Sequence, residues 1–578
     1  MSVDGRRLRR WPLIAAVMLL AACAGRGPVT SEGTLDSGRP LSAAMQAYDV
    51  LHYTLDHDIL VADKAIAGSA TIRFRARENL PVLELDFDGV YTIERIVAAG
   101  RETAWRRDAE KLWVTLPEAL APNAEGEVTV YYHGRPHEAK RAPWEGGFVW
   151  STTPSSGEPW IATAFQGEGC DIWWPCKDHA SGEPLGADLY FTVPAGLTAA
   201  ANGVLVDTTV RPDGRTRFHW RTSVPTNTYG ISLNVGPYVL LEDTYISRNG
   251  TEVPIRFWAL RENETQARKF FASDFPEVFE FLERTVGPYP WGQEKLGIVE
   301  TPHYGMEHQT INAYGNKYRR QPYGFDYILH HELAHEWFGN FMTHATVSDL
   351  WLHEGLASYL QPLFARETLG DVAFHALMYR AYLGIKSCHP IAPRREMSER
   401  ELFDDGEDGE GPGGDIYSKG TWLAHSLRYL IGDEAFWRSI RRLVYGTPDP
   451  ETLEPPLIPR FRTTDDLVRI ASEEAGRDLA WFFEVYARQG PLPVLEQREA
   501  DGGLVLEWTG VGESGFPMPV PVEIGGELRR VEFEGNLAFL PGVEVADVRI
   551  DPGMAVLQKL DTVPTCEERR AEDDPPRL

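Results

Sequence analysis

The sequence contains few cysteines and few basic residues for its length. Five cysteines occur among 578 residues, and none stands in a Cys-x-x-Cys pair, which disfavours a zinc ribbon. Lysine and arginine total 57 against 85 acidic residues, so the formal net charge is −28. Such a surface repels phosphate backbones, which excludes nucleic acid as a partner, and it disfavours peripheral docking on anionic lipid. The remaining composition, 43% hydrophobic and 25% charged, is that of a globular protein and excludes a disordered or collagen-like chain.

The apolar run from Trp11 to Ala22 is too short to cross a bilayer. Four arginines between positions 6 and 10 precede it, which is the charge order of a secretion signal. The run ends in Leu20-Ala21-Ala22-Cys23, which resembles the bacterial lipobox, in which the cysteine becomes the lipidated N-terminus. An ordinary signal peptide or a buried N-terminal helix remains an alternative.

The lipobox resemblance implies that residues 1–23 are a lipoprotein signal peptide and that Cys23 is the lipidation site. It implies a protein anchored by lipid in a bacterial cell envelope. Ala24 is not the aspartate that usually retains lipoproteins in the inner membrane, so an outer-membrane location facing the periplasm is expected. Residues 24–44 are rich in Gly, Ser, Thr, Pro and Ala and predict a flexible tether.

Four cysteines remain beside the predicted lipidation site: Cys170, Cys176, Cys388 and Cys566. An envelope location permits disulfides. Cys170 and Cys176 are close enough in sequence to pair, but spacing alone does not determine the pairing.

The rest of the chain divides by the period of its apolar residues. Residues 45–260 contain short runs of period two, such as Thr71–Arg75, and predict a β domain. Residues 261–490 follow a helical period. Residues 491–561 return to period two and predict a small β-sandwich, and the charged tail 562–578 is expected to be disordered.

One chemical motif lies in the helical segment, His331-Glu332-Leu333-Ala334-His335. Residues four apart on a helix share one face, so both imidazoles can reach a single metal ion. Glu332 lies beside them, where it can take a proton from an attacking water. The pattern also occurs by chance, and such residues can be solvated helix charges.

A second predicted helix favours the metal site. Ser348 is a plausible N-cap for the stretch from Asp349 to Tyr359, which contains Glu354. A catalytic zinc site usually has three protein ligands and one open position, and Glu354 is the natural third ligand. In isolation a glutamate at this position would more often be a surface charge.

These two motifs resemble the gluzincin zinc aminopeptidases, the family of aminopeptidase N and leukotriene hydrolase. The match includes the eighteen residues between His335 and Glu354 and the stretches His331–Asn340 and Trp351–Gly355. The resemblance covers nearly the whole chain outside leader, tether and tail. It implies one Zn²⁺ per chain, held by His331, His335 and Glu354, with Glu332 as the general base.

Residues 304–308, Tyr-Gly-Met-Glu-His, resemble the family's Gly-x-Met-Glu-Asn exopeptidase motif. The resemblance gives Glu307 the role of binding the substrate's free α-ammonium, and places Gly305 and Met306 at the substrate. A buried ammonium needs a paired anion, so such a carboxylate directs cleavage to the N-terminus. Tyr304 and His308 depart from the motif, which puts the local backbone conformation and subsite shape in doubt.

Two further residues follow from the resemblance. Gln166 precedes Trp173–Asp178 by the family's spacing, which implies a second contact to the α-ammonium through an amide oxygen. Tyr417-Ser418-Lys419-Gly420 resembles the family's Tyr-x-Lys-Gly, whose tyrosine stabilises the oxyanion. Most tyrosines are packing residues, and a glutamine in a glycine-rich loop is normally structural.

An acidic, glycine-rich run occupies residues 404–410, shortly before Tyr417. A solvated loop is the ordinary interpretation of such a run. If the run overhangs the cleft, it favours basic substrates.

The resemblance implies a multidomain α+β protein. It has a saddle-like N-terminal β-sheet domain, a thermolysin-like, mainly helical catalytic domain and a small C-terminal β-sandwich, without the large C-terminal helical domain of many relatives. The implied activity is removal of N-terminal residues from peptides that have a free N-terminus. A zinc endopeptidase and an inactive binding lipoprotein are the alternatives, and the sequence leaves the oligomeric state open.

Overall fold

The computed structural model of the chain describes residues 36–320, 322–406, 409–512, 515–560, 564 and 566. The predicted signal peptide 1–23, its Cys23 and residues 24–35 lie outside the described residues. None of the helices in the described part combines the length and the apolar character that a bilayer span would require.

The N-terminal part consists almost entirely of strands, preceded by the short helix α1 (Ala43–Gln46). In chain order, β1 to β17 are Tyr48–Leu60, Ala65–Ala76, Leu80–Asp86, Thr92–Ala98, Arg101–Glu102, Trp105–Asp108, Lys111–Leu120, Glu125–Gly134, Gly147–Thr152, Pro159–Ala164, Ala187–Val193, Thr198–Ala201, Val204–Val210, Thr216–Thr222, Leu233–Gly236, Tyr238–Ile246 and Glu252–Leu260.

These strands form an eight-stranded sheet in the order β13-β14-β11-β1-β2-β8-β4-β5, a four-stranded sheet, β12-β15-β10-β9, and a three-stranded sheet, β3-β7-β6. The central strand β2 shows the alternation of buried and exposed side chains that is typical of a strand with one face on a core. Its buried residues include Ile66, Ala70, Ile72 and Phe74, and most of the residues between them are partly exposed. The loop after β10 begins with Phe165 and Gln166, and its next residues, Gly167 and Glu168, line a cavity together with Glu399 of the catalytic region.

The predicted domain boundary at residue 260 differs from the structure. β16 and β17 pair with each other, and β17 continues into a five-stranded sheet, β16-β17-β18-β20-β19, whose other members belong to the catalytic region. The boundary therefore falls before Tyr238. A period-two pattern identifies strands but not the sheet that they join, because pairing partners are distant in sequence.

The catalytic region places helices around this sheet. Its helices α2 to α10 are Glu264–Val286, Tyr327–Ala334, Trp351–Leu369, Asp371–Gly384, Glu399–Phe403, Asp415–Ile431, Asp433–Tyr445, Thr464–Ala475 and Ala480–Tyr486. Its strands β18 to β22 are Leu296–Glu300, Gly305–Met306, Asn312–Tyr314, Met342–His344 and Arg460–Arg462. On α2, Phe275, Val278, Phe279 and Leu282 form a buried stripe, as the helical period predicts.

The C-terminal part contains two small sheets, β23-β24-β27 and β26-β25-β28. Its strands β23 to β28 are Val494–Ala500, Gly503–Thr509, Val520–Ile524, Glu527–Val531, Leu537–Pro541 and Val548–Ile550. Trp508 and Phe516 of this part share one hydrophobic core with Tyr486 of the catalytic region. The predicted α+β class, with β, helical and β regions in that order, is confirmed.

The prediction of a flexible tether over residues 24–44 is wrong for residues 36–44. The Ser37 backbone N–H donates to the Gly167 carbonyl (3.0 Å), and the Ser37 hydroxyl donates to Asp178 (3.0 Å). The Glu399 N–H in turn donates to the Ser37 carbonyl (2.9 Å). The composition of this segment predicted a linker, but its polar groups form hydrogen bonds with backbone and side-chain groups of two segments that are distant in sequence.

The tail prediction needs a similar correction. Most of residues 562–578 lie outside the described residues, but Cys566 is disulfide-bonded to Cys388 of the catalytic region. A second disulfide joins Cys170 to Cys176. The tail is therefore attached at Cys566, which composition alone could not indicate.

Candidate active site

The predicted metal ligands come from two helices. α3 carries His331 and ends at His335, and Glu354 lies in the first turn of α4. The Nε2 atoms of His331 and His335 are 3.2 Å apart, and Glu354 Oε2 lies 3.4 Å from each of them. Tetrahedral zinc with bonds of about 2.0–2.1 Å separates its ligand atoms by about 3.3–3.4 Å. The three atoms thus have the spacing of three corners of a zinc tetrahedron.

The chemistry of these donors also fits a cation. The His335 and Glu354 side chains are almost fully buried and that of His331 is 11% exposed, and Glu354 Oε2 accepts no hydrogen bond of ordinary geometry within the described residues. Burial alone would raise the pKa of the Glu354 carboxyl, but the adjacent His335 and His331 outweigh burial and lower it. A buried carboxylate oxygen without a hydrogen bond is costly unless a positive charge compensates. Two imidazoles and one carboxylate are a common zinc donor set.

Contacts outside the donor set orient the ligands. The His335 Nδ1–H donates to the Phe338 carbonyl over 2.7 Å, which leaves the lone pair on Nε2 facing the site. Asp326 caps α3 by accepting from the Leu329 N–H, and Tyr314 and Asn316 hold the Asp326 carboxylate in place. The register of α3, and with it the position of His331, is therefore fixed from its N-terminus.

Glu332 lies beside the metal ligands and against a glycine. Ligand-type oxygens of Glu332 and Glu307 and a ring nitrogen of His335 all lie within 4.8 Å of one another. Burial raises the pKa of Glu332 well above its usual value, and the nearby Glu307 charge raises it further. A carboxyl with a raised pKa can hold a proton and release it, which suits a group that shuttles protons.

Gly305 sets the position of the Glu332 carboxylate. A Cβ atom at residue 305 would lie 2.3 Å from Glu332 Oε1 and 2.8 Å from Ile328 Cγ2. Only a glycine allows this close approach, so the position is constrained by the catalytic carboxylate.

We expect Gly305→Ala to impair turnover far more than stability. The Glu332 side chain can rotate away from the new methyl group, so the free energy of unfolding should change little. Its displacement by about 1 Å should lower kcat on the order of 10²-fold. Thermal unfolding and steady-state kinetics measured on one preparation check this, and a normal kcat would contradict the assignment.

Glu307 is buried at the edge strand β19, which pairs with β20 and places the buried Met306 opposite Ala313. The Tyr229 hydroxyl donates to Glu307 Oε1 (3.2 Å). The Asn340 amide donates to the Glu307 backbone carbonyl (2.9 Å). These two contacts hold the side chain and the backbone of Glu307 in place.

The two departures from the exopeptidase motif have structural explanations. Tyr304, in place of glycine, is 42% exposed, and its ring centroid lies 6.2 Å from that of Trp144 in the β domain. His308 is buried, and neither ring nitrogen has a hydrogen-bond partner among the described residues. Burial lowers the pKa of His308 well below its usual value, so the ring is neutral.

Tyr417 reaches the site because two helices cross at glycines. A Cβ on Gly355 of α4 would lie 2.8 Å from Gly420 Cα of α7, and the reverse distance is also 2.8 Å. This approach brings the centroid of the Tyr417 ring to 6.1 Å from that of the His331 ring. Burial raises the pKa of Tyr417 well above its usual value, so the phenol remains a proton donor.

Gln166 is placed less clearly than the other predicted residues. Its amide nitrogen is buried and has no hydrogen-bond partner in the described part of the chain. Two residues later, Glu168 accepts from the Gly146 N–H through Oε1 (2.7 Å), and its Oε2 is buried without a partner. Sequence reasoning missed Glu168, although a charge in a glycine-rich loop was a usable signal. It also missed Glu399 of α6, to which no local pattern points.

Comparison with known proteins agrees with this geometry. Residues 277–449 match the peptidase family M1 domain. Over 443 residues the chain is 24% identical to aminopeptidase B of Rattus norvegicus, which covers 71% of this chain and 65% of that protein. It is 26% identical to aminopeptidase N of Lactococcus lactis (58% and 39% covered) and 24% identical to leukotriene A-4 hydrolase of Xenopus laevis (55% and 52%). The alignments thus span about a third to two thirds of these relatives.

Solved structures give the same result over more of the chain. The M1 zinc metallopeptidase of Deinococcus radiodurans superposes with a TM-score of 0.60 at 25% identity, covering 77% of this chain and 95% of that one. A mutant of it bound to a Tyr-Ser-Ala substrate superposes with a TM-score of 0.61, covering 78% and 96%. Residues 277–449 of this chain therefore match the peptidase family M1 domain, and the predicted zinc ligands lie within that match.

Proposed function

We propose that the protein is a zinc-dependent aminopeptidase that removes N-terminal residues from peptides with a free N-terminus. The observation that carries the proposal is the buried Glu307 carboxylate beside Glu332 and the metal ligands. It supplies the negative charge that a buried α-ammonium requires, at a distance of one residue from the reacting carbonyl.

Each site residue has a separate role in the proposed reaction. His331, His335 and Glu354 would hold one zinc ion, which lowers the pKa of water and polarises the scissile carbonyl when bound. Glu332 takes the proton of the attacking water and passes it to the departing amine. Tyr417 donates a hydrogen bond to the charge that develops on the carbonyl oxygen. Glu307, with Gln166 as a second contact, binds the α-ammonium and fixes the register of the peptide.

The geometry disfavours the two alternatives. An endopeptidase would need an open channel where Glu307 stands, because further substrate residues would have to pass its carboxylate. An inactive binding protein would not be expected to keep Glu332, Tyr417 and three well-spaced metal ligands together.

We expect Glu307→Ala to lower kcat/KM for peptides with a free N-terminus roughly 10- to 100-fold, the effect of losing one hydrogen bond to a charged group. The measurement compares a free peptide with its N-acetylated form for both proteins. The unmodified enzyme should leave the acetylated peptide intact. Equal losses on free and acetylated peptides would reject the ammonium role, and efficient cleavage of the acetylated peptide by the unmodified enzyme would favour an endopeptidase.

We also propose that the protein is held in a bacterial envelope by a lipid on Cys23, at the outer membrane and facing the periplasm. The basic and apolar leader that ends in Leu20-Ala21-Ala22-Cys23 supports this location. The disulfides Cys170–Cys176 and Cys388–Cys566 also support it, because disulfides persist in an oxidising compartment.

A further inference from the structure

A cavity of about 370 Å³ lies between the β domain and α6. Its volume falls in the range of small-ligand sites, roughly 300–1,000 Å³. One wall is the loop with Gly167 and Glu168, and the opposite wall is α6 with Glu399 and Phe403. Ser37 joins the two walls, because it accepts from the Glu399 N–H and donates to the Gly167 carbonyl.

Two buried carboxyl groups line this cavity, and neither forms an ion pair within the described residues. Glu399 is 6% exposed, and its side chain forms no hydrogen bond or ion pair within the described residues. Glu168 is 9% exposed, and its Oε2 has no partner there either. Burial raises the pKa of Glu399 well above its usual value, and burial raises that of Glu168 to about 7. A cation entering the cavity would favour the charged form of both groups.

The other charged residues of the cavity do not supply that cation. Glu138 and Glu145 at the rim are already paired with Lys64 and Arg141. Lys140 and Arg400 also line the cavity, but both side chains are exposed, and neither forms an ion pair with Glu168 or Glu399. The cavity therefore contains two buried carboxyl groups, while the side chains of Lys140 and Arg400 are exposed.

The cavity lies close to the place where an N-terminal residue would bind. Trp144 lines the cavity, and its ring centroid lies 6.2 Å from that of Tyr304, which directly precedes Gly305 and lies three residues before Glu307. Trp144, which stacks near Tyr304, and Phe403 add aromatic surface. Such surface packs against the aliphatic stem of a long basic side chain or the face of a guanidinium.

We propose that this cavity receives the side chain of the substrate's N-terminal residue and selects arginine and lysine, with Glu399 as the carboxylate that recognises the cationic end. Glu168 adds a second negative charge at the other wall. The inference rests on the proposed aminopeptidase function and names its substrate class. It explains why two carboxyl groups are buried without an ion-pair partner among the described residues, where neutral residues would cost less.

The test compares arginyl, lysyl, norleucyl and methionyl amides as substrates of the unmodified enzyme and of Glu399→Gln. The unmodified enzyme should prefer the two basic amides. Glu399→Gln keeps the size of the side chain and should lower kcat/KM for the basic amides about 10- to 100-fold, with less than about a threefold change for the neutral ones. Glu399→Asp keeps the charge and should retain the basic preference.

Glu410→Gln is the matched control. It removes one negative charge from the acidic run after α6, but Glu410 is 73% exposed and paired with Arg395. Its substrate preference should stay unchanged, and zinc content and thermal unfolding should match those of the unmodified enzyme for all variants.

Each other outcome overturns the inference. An equal loss of kcat/KM on all four amides would mean that Glu399 binds a group common to every substrate, such as the α-ammonium. An unchanged preference in Glu399→Gln, a preference of the unmodified enzyme for neutral amides, or the same shift in Glu410→Gln would also reject it. Activity on neutral amides alone would leave the proposed aminopeptidase function intact, whereas no activity on any amide would reject both.

Discussion

Glu332→Gln should lower kcat by about 10³-fold or more while the protein still binds one zinc per chain. Glutamine fills the same volume beside Gly305 but cannot accept and return a proton, so only the proton transfer is removed. General acid–base catalysis contributes on the order of 10²–10⁴-fold, and here one group serves both the attacking water and the departing amine. Steady-state kinetics together with metal analysis of the same preparation measures the effect.

Two controls keep this result interpretable. Zinc content close to that of the unmodified enzyme shows that the adjacent His331 and His335 are undisturbed. A thermal unfolding midpoint within a few degrees shows that the fold is intact. Turnover near the normal rate would remove Glu332 from the mechanism, however well the position fits.

Glu354→Ala should abolish both metal retention and activity. The carboxylate is one of three donors, 3.4 Å from each imidazole, and two histidines alone bind zinc weakly. Loss of a direct ligand should exceed the roughly 10- to 100-fold fall in affinity caused by loss of an outer partner. We expect zinc well below one per chain after dialysis and a lower unfolding midpoint, because zinc bound to the folded state stabilises it.

Glu367→Ala on the same helix is the matched control, because this residue is 51% exposed and paired with Arg284. It should retain zinc and activity. Removing zinc from the unmodified enzyme with a chelator should lower the unfolding midpoint in the same direction as Glu354→Ala, and adding zinc should restore it. Full zinc occupancy in Glu354→Ala would refute the metal site as described.

The zinc ligands could be predicted because their arrangement is mostly local. The spacing of His331 and His335 places both rings on one helix face, and one further helix supplies Glu354. The fold class was equally readable, because a period of two or 3.6 appears within each segment. Glu307 and Tyr417 needed the family resemblance, since a single glutamate or tyrosine carries no pattern of its own.

Errors arose where a residue's role depends on distant partners. The composition of residues 36–44 predicted a tether, yet the Ser37 backbone is hydrogen-bonded to both Gly167 and Glu399. The period-two pattern predicted a β region up to residue 260 but not the sheet that β16 and β17 join, and the spacing of cysteines did not reveal the pair Cys388–Cys566. In each case the partner lies more than thirty residues away, and only packing of the whole core brings the two together.

The order of side chains along the chain was therefore enough to establish the chemistry: two imidazoles, a neighbouring base and a third acidic ligand on two helices. Tertiary structure alone decided the 3.2–3.4 Å spacing of the metal donors, the glycine contacts that position Glu332 and Tyr417, and the cavity that Glu168 and Glu399 line without forming an ion pair among the described residues. The physical reason is that helical periodicity is encoded by neighbours three or four residues apart. Whether a side chain is buried, and whether it finds a polar partner, depends instead on which segments, distant in sequence, pack against each other in the hydrophobic cores.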